Sequence, residues 1–182
     1  KRKSKYKNDS EIYYEGYFEN GKIEEKVDIK KGNLKNGVVD GIQEIYYDNG
    51  QLKSKIDFKN GDVDGIGETY YDNGQLKSKI DFKNGVKDGI EETYYDNGQL
   101  MSKVNFRKGV EDGSVERYYD NGQLSVKGTI VNENPEGSWI QYWRDGKLFQ
   151  KGLYKEGKRE GRWEFYLPSG VEVTKKSSFH GI

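Results

Sequence analysis

The residues from Leu52 to Phe58 alternate strictly, with Leu52, Ser54, Ile56 and Phe58 on one side and Lys53, Lys55 and Asp57 on the other. A period of two belongs to an extended chain with one wetted face, so this segment is predicted as a β-strand. The six residues from Ile42 to Tyr47 are rich in β-branched and aromatic side chains, and Asp48, Asn49 and Gly50 separate the two runs. A three-residue connection ending in glycine suits a type I turn closed by a left-handed residue, which predicts a β-hairpin. With Tyr47 opposite Gln51, Tyr46 is expected to face Leu52, Glu44 to face Ser54 and Ile42 to face Ile56. One hairpin face would then carry Ile42, Glu44, Tyr46, Leu52, Ser54, Ile56 and Phe58. The stretch from Lys59 to Gly65, with two glycines, reads as the connection to the next hairpin, and no segment has helical periodicity of useful length.

The hairpin recurs every 24 residues. YYDNG stands at 46–50, 70–74, 94–98 and 118–122, and residues 46–61 reappear unchanged at 70–85. Gly41, Gly65, Gly89, Gly113, Gly137 and Gly161 each precede a tyrosine by five residues: Tyr46, Tyr70, Tyr94, Tyr118, Tyr142 and Tyr166. YFENG at 17–21 continues the series upstream with an offset of 29, which places a five-residue insertion near 33–37. About seven units are expected, the first and last irregular as capping repeats are. The predicted fold class is all-β: an elongated, single-layer antiparallel sheet of tandem β-hairpin repeats over residues 12–182. Strands about 4.8 Å apart add roughly 10 Å per unit. A lone hairpin is marginal in water, so each must supply its neighbour's partner surface. Equivalent side chains then form ladders, one of tyrosine and one of glutamate (Glu44, Glu68, Glu92 and Glu116).

Composition thins the expected core without removing it. Hydrophobic residues make up 32% of the 182-residue chain and charged residues 34%, with a mean hydropathy of −1.08. Against disorder, the 31 basic and 31 acidic residues cancel, and 15 tyrosines bury ring area while keeping a polar end wet. The opening KRKSKYKNDS reads as a basic tail or linker over residues 1–11, either trailing a removed signal or anchor, which would place the domain outside the cytoplasm or on the cell surface, or marking a start inside the gene. Balanced charge argues against nucleic acid or an anionic membrane as partner, since both attract mainly through excess Lys and Arg.

No catalytic constellation is legible. The one histidine is His180 and there is no cysteine, which leaves no nucleophile and base pair of the usual kind. Carboxylates repeated about 10 Å apart stand just beyond the spacing that inverting glycosidases use. Asn60, Asp62 and Asp64 begin like a calcium loop, but the twelfth position is Tyr71 where a glutamate is needed. No catalytic residue, cofactor or metal is expected. All three tryptophans, Trp139, Trp143 and Trp163, fall in the last units, and with Phe165 and Leu167 they enrich the face that carries Thr69 and Thr93 in the middle copies. They read either as an end cap or, with Tyr142, as docking anchors, because a few large aromatics usually dominate an interface. Tyr46, Tyr70, Tyr94 and Tyr118 are the further partner-binding candidates.

The unit G-x-x-E-x-Y-Y-D-N-G-x-L-K-S-K, closing in K-N-G-x-x-D-G, resembles the MORN repeat variant, a bacterial relative of the membrane occupation and recognition nexus repeats, over residues from about 12 to 176. GSWIQYWRDGKLFQKG and GRWEFYLPSG come closest, with tryptophan two places after glycine; Gln43, Gly67, Glu91 and Val115 stand in its place elsewhere. The resemblance implies a non-enzymatic protein-interaction module and carries no catalytic residues. Chains built from this variant are often grouped with the YwqK-like antitoxins, which implies binding and neutralising a partner toxin, in the cytoplasm in that case. Short aromatic hairpin repeats also resemble choline- and glucan-binding modules, whose tryptophan cages take quaternary ammonium groups or sugar faces. On that alternative Trp139, Trp143 and Trp163 would serve, and surface adhesion is a further alternative. Edge-to-edge self-association of the sheet stays open.

Overall fold

A computed structural model describes the backbone of residues 3–6, 11–30 and 40–173, and the side chains of residues 15–26 and 40–173. All regular structure among these residues is β, and the chain divides into two units, Lys1–Gly98 and Gln99–Ile182. The first holds β1 (Lys3–Tyr6), β2 (Glu11–Tyr17), β3 (Ile23–Lys30), β4 (Gly41–Tyr46), β5 (Leu52–Lys59), β6 (Asp62–Tyr70), β7 (Leu76–Lys83) and β8 (Val86–Tyr94). The second holds β9 (Leu100–Arg107), β10 (Val110–Tyr118), β11 (Leu124–Val131), β12 (Asn134–Tyr142), β13 (Leu148–Lys155) and β14 (Lys158–Phe165). Within each unit every strand pairs antiparallel with its neighbours in sequence, giving an open meander of hairpins. In the segment read as a basic tail, β1 pairs with β2 from Lys3↔Glu15 to Tyr6↔Ile12. The insertion expected near residues 33–37, like His180, lies outside the described residues.

The turn after β4 forms as its sequence predicts. Tyr47 N donates to Gln51 O at 2.8 Å, Gly50 N donates to Tyr47 O at 2.8 Å, and Gly50 takes a φ of 91°. The pairing beyond it departs from expectation by one residue. Tyr46 opposes Leu52, but Ile45 opposes Ser54, so Lys53 is an extra residue in β5. A one-residue slip exchanges the faces of everything that follows. Glu44 therefore opposes Lys55 and Gln43 opposes Ile56, in place of the expected Glu44–Ser54 and Ile42–Ile56 pairs. The same bulge recurs beside Tyr70, Tyr118 and Tyr142. What the alternation suggested was one face is thus two: Ile42, Glu44, Tyr46, Lys55 and Asp57 on one side, Gln43, Ile45, Ser54, Ile56 and Phe58 on the other.

The connection between hairpins is shorter than expected. Lys59 pairs with Asp62, leaving only Asn60 (φ 52°) and Gly61 (φ 89°) in a two-residue turn of the I′ kind. The remaining residues up to Gly65 belong to β6, where Gly65 (φ 125°) bulges and Asp57 Oδ2 accepts from Ile66 N at 3.3 Å.

The second unit holds the buried cluster: Val104, Val115, Ile130, Trp139 and Trp163, flanked by Phe106, Val126, Tyr154 and Phe165. Val115 is fully covered. At the corresponding places the first unit has Gln43, Gly67 and Glu91, with Ser54 and Ser78 beside half-buried Ile56, Ile80, Phe58 and Phe82. All these positions lie on the side away from Tyr46 and its equivalents, so packing is concentrated on one face.

Candidate functional site

The most repeated residues hold turn to turn. Tyr47 Oη donates to Tyr70 O at 2.8 Å, Tyr71 Oη to Tyr94 O at 2.7 Å, and Tyr119 Oη to Tyr142 O at 2.9 Å. Trp143 takes this place in the last copy, its Nε1 donating to Tyr166 O at 3.1 Å and its ring centred 4.3 Å from Phe149. Asn49, Asn73 and Asn121 each donate from Nδ2 to a carbonyl of the next turn, at Asp72 (2.9 Å), Asp96 (3.0 Å) and Arg144 (3.0 Å). Their Oδ1 atoms accept from the backbone N of Gln51, Gln75 and Gln123. The second tyrosine and the asparagine of YYDNG are therefore staples between successive hairpins, each bond worth about 0.5–1.5 kcal/mol. Asp64, suspected of a calcium role by spacing, instead has Oδ2 accepting from Asn84 N at 3.3 Å.

The first tyrosine behaves differently. On its face each phenol donates to the glutamate two residues earlier: Tyr46 to Glu44 at 2.8 Å, Tyr70 to Glu68 at 2.8 Å, Tyr94 to Glu92 at 3.0 Å, Tyr118 to Glu116 at 2.8 Å and Tyr166 to Glu164 at 2.7 Å, with Tyr17 to Glu15 alike. Across the strands lie lysines: Glu68 opposes Lys55 on one side and Lys79 on the other. Ion pairs close some rungs, Lys127–Glu116 and Lys151–Glu164 both at 2.9 Å. Partial burial, and then the bond to Glu68 or Glu116, pushes the phenols of Tyr70 and Tyr118 up to about 12. The bonds from Lys127 and Tyr118 hold Glu116 below its ordinary value, and those from Tyr166 and Lys151 do the same for Glu164.

One rung in the second unit is broken. At the position of Glu116 and Glu164, β12 carries Ile140, which opposes Lys127 in β11 and Lys151 in β13. Among the described residues no carboxylate accepts from Tyr142 Oη. Beside this rung Leu153 is 51% exposed, where the corresponding residues are Asp57, Asp81, Asn105 and Thr129.

The proposed anchors do not form one patch. Trp139 and Trp163 are 8% and 4% exposed on the packed face, their rings lying over Gly128 and Gly152, and the Arg159 guanidinium caps Trp163 at 4.1 Å. Tyr142 projects with Tyr118 from the opposite face of its unit, as Tyr46, Tyr70 and Tyr94 do in theirs, while Trp143 serves at the turn edge. Ile140 and Leu153 were absent from the sequence-derived candidates. The signal was there, since the glutamate ladder read through Glu44, Glu68, Glu92 and Glu116 has isoleucine at its next step.

An open sheet of tandem hairpins, each hydrogen-bonded to the one before and after it within its unit, defines a repeat protein. The chain belongs to the MORN repeat variant family, which it matches over residues 11–31, 39–60, 63–84, 87–108, 111–132 and 135–156. The match gives six copies where about seven were expected. In the last expected one, from Gly161, the described residues show β14 followed by a Tyr166↔Glu172 bridge. No curated protein matched the chain. Repeats of this family are generally associated with binding to proteins or to membrane lipids.

Proposed function

We propose that this protein is a non-enzymatic protein-binding module whose contact surface is the tyrosine-bearing face. The observation that carries the reading is the division of labour between the faces. Core packing occupies the tryptophan side, whereas the other presents, in the described rungs apart from that of Ile140, a ring bonded to a carboxylate with a lysine across the strands. Such a face is rigid, and a partner can cover it at small cost in side-chain entropy. Because each lysine stands beside a glutamate, the face has little excess positive charge for an anionic membrane, and protein is favoured over lipid. Choline or sugar binding through tryptophan cages gains no support from Trp139 and Trp163, whose rings are covered.

Neutralisation of a toxin, the setting that the family resemblance implies, is one instance of this function. Co-expression with the product of an adjacent reading frame, followed by titration of the purified pair, tests it. Binding should weaken when Tyr70 and Tyr94 are both replaced by serine and survive Ser54→Ala and Ser78→Ala on the opposite face. Binding that ignores the tyrosines, or that goes to phospholipid vesicles instead, would contradict the reading.

A further inference from the structure

We propose that the broken rung at Ile140 is the docking point for a segment of a partner protein that places one carboxylate beside an apolar side chain. The inference rests on the protein-binding reading above and adds both a location and a chemistry. In the first unit the cross-strand order is lysine, glutamate, lysine: Glu68 lies between Lys55 and Lys79. At Ile140 both lysines remain, Lys127 and Lys151, but the central carboxylate is gone. Each is paired with its outer partner, Lys127 with Glu116 and Lys151 with Glu164. Tyr142 sits where every corresponding described tyrosine donates to a glutamate, yet among the described residues no carboxylate accepts from that hydroxyl.

The missing group is therefore defined by its surroundings: a single carboxylate, accepting from Tyr142 Oη between two ammonium groups. Charge-assisted bonds of this kind are about twice as strong as neutral ones. The change from glutamate to isoleucine does not stand alone. Leu153, two residues beyond Lys151 on the same strand and face, replaces a polar residue of the other copies and is 51% exposed. Ile140 and Leu153 thus add an apolar step to an otherwise charged surface, next to the place for the carboxylate. A protein segment with an acidic residue adjoining Leu, Ile or Phe supplies both parts. An anionic bilayer fits less well, because the site lacks one negative charge and has no cluster of surplus cations.

The test uses the full chain, immobilised, to select from a displayed library of random peptides, with selected peptides then synthesised and titrated. Selection should enrich an Asp or Glu beside a large apolar residue. Ile140→Glu rebuilds the rung used elsewhere in the chain, so it should preserve folding while lowering affinity at least about tenfold, as should changing the peptide's carboxylate to its amide. Tyr142→Phe, which removes only the hydroxyl, should weaken binding several-fold and serves if Ile140→Glu does not fold. Peptides whose affinity is unchanged by both substitutions would overturn the site and leave the protein-binding reading standing. Selection without acidic enrichment would also overturn the inference alone. Co-sedimentation with phosphatidylserine vesicles in the absence of any enriched peptide would overturn both.

Discussion

Trp139 and Trp163 owe their burial to glycines on the neighbouring strands. A Cβ at Gly128 would lie 2.0 Å from Trp139 Cε3, and one at Gly152 would lie 2.4 Å from Trp163 Cδ2. Gly128→Ala is therefore expected to cost about 1–3 kcal/mol, the usual penalty for overfilling a packed site. Gly67→Ala should cost less, because the Cβ there meets only the edge of the Phe82 ring at 2.9 Å, and that ring can turn. Urea titration of the two variants gives the comparison. The spacing of tryptophan two residues after glycine was plain in the sequence, but the glycine that receives each ring was not. Which residue lies beneath Trp139 depends on where the bulges fall, and a bulge leaves no mark in the alternation from Leu52 to Phe58.

Hairpins were legible because turn chemistry is local. The glycine of Asp48-Asn49-Gly50 and its left-handed conformation follow from three residues, whereas the Lys53 bulge follows from how two strands meet. The short turns give a prediction at this scale. Asn132 and Glu133 both have positive φ, at 47° and 64°, and Glu133 stands where the corresponding turns have Gly61, Gly85, Gly109 and Gly157. Glu133→Gly should stabilise the protein by about 1 kcal/mol, seen as a raised melting temperature, since a left-handed residue with a Cβ is strained by roughly that amount.

The rungs give a second prediction, in pH. Tyr70 and Tyr118 are raised from 10 to about 12, so their contribution to stability is complete below pH 10 and is lost as pH climbs from 10 towards 12. Glu116 and Glu164 are held below 4.5, so theirs is present above that pH and is lost as pH falls through their lowered values. Melting temperature should stay level between pH 6 and 9, in line with about that window, and fall on both sides. Absorbance of the phenolate should show late-titrating tyrosines, Tyr70 and Tyr118 among them. Phenols that all ionise together near pH 10 would contradict the bonded rungs.

Within each unit the contacts join strands that are neighbours in sequence, so stability should approximate a sum of hairpins and the bonds between them. Near-identical copies invite the idea that the repeat itself recognises something. The geometry explains their identity differently, since Tyr47 and Asn49 must meet the turn 23 positions on, and each rung glutamate the lysines of the flanking strands. What the sequence hid was the value of an exception: Ile140 reads as an ordinary strand residue until its two lysine neighbours are known. That the acidic segment docks at the exception, and not on the repeated copies, is tested most directly by removing one copy. Deletion of residues 51–74 joins Gly50 to Gln75 and restores the same local sequence. The account predicts a protein that unfolds in one cooperative transition with a urea m-value lower by about one-eighth, in proportion to the surface lost, and that binds the selected acidic peptide with unchanged affinity. A deletion variant that fails to fold, or that folds and loses the peptide, would contradict it.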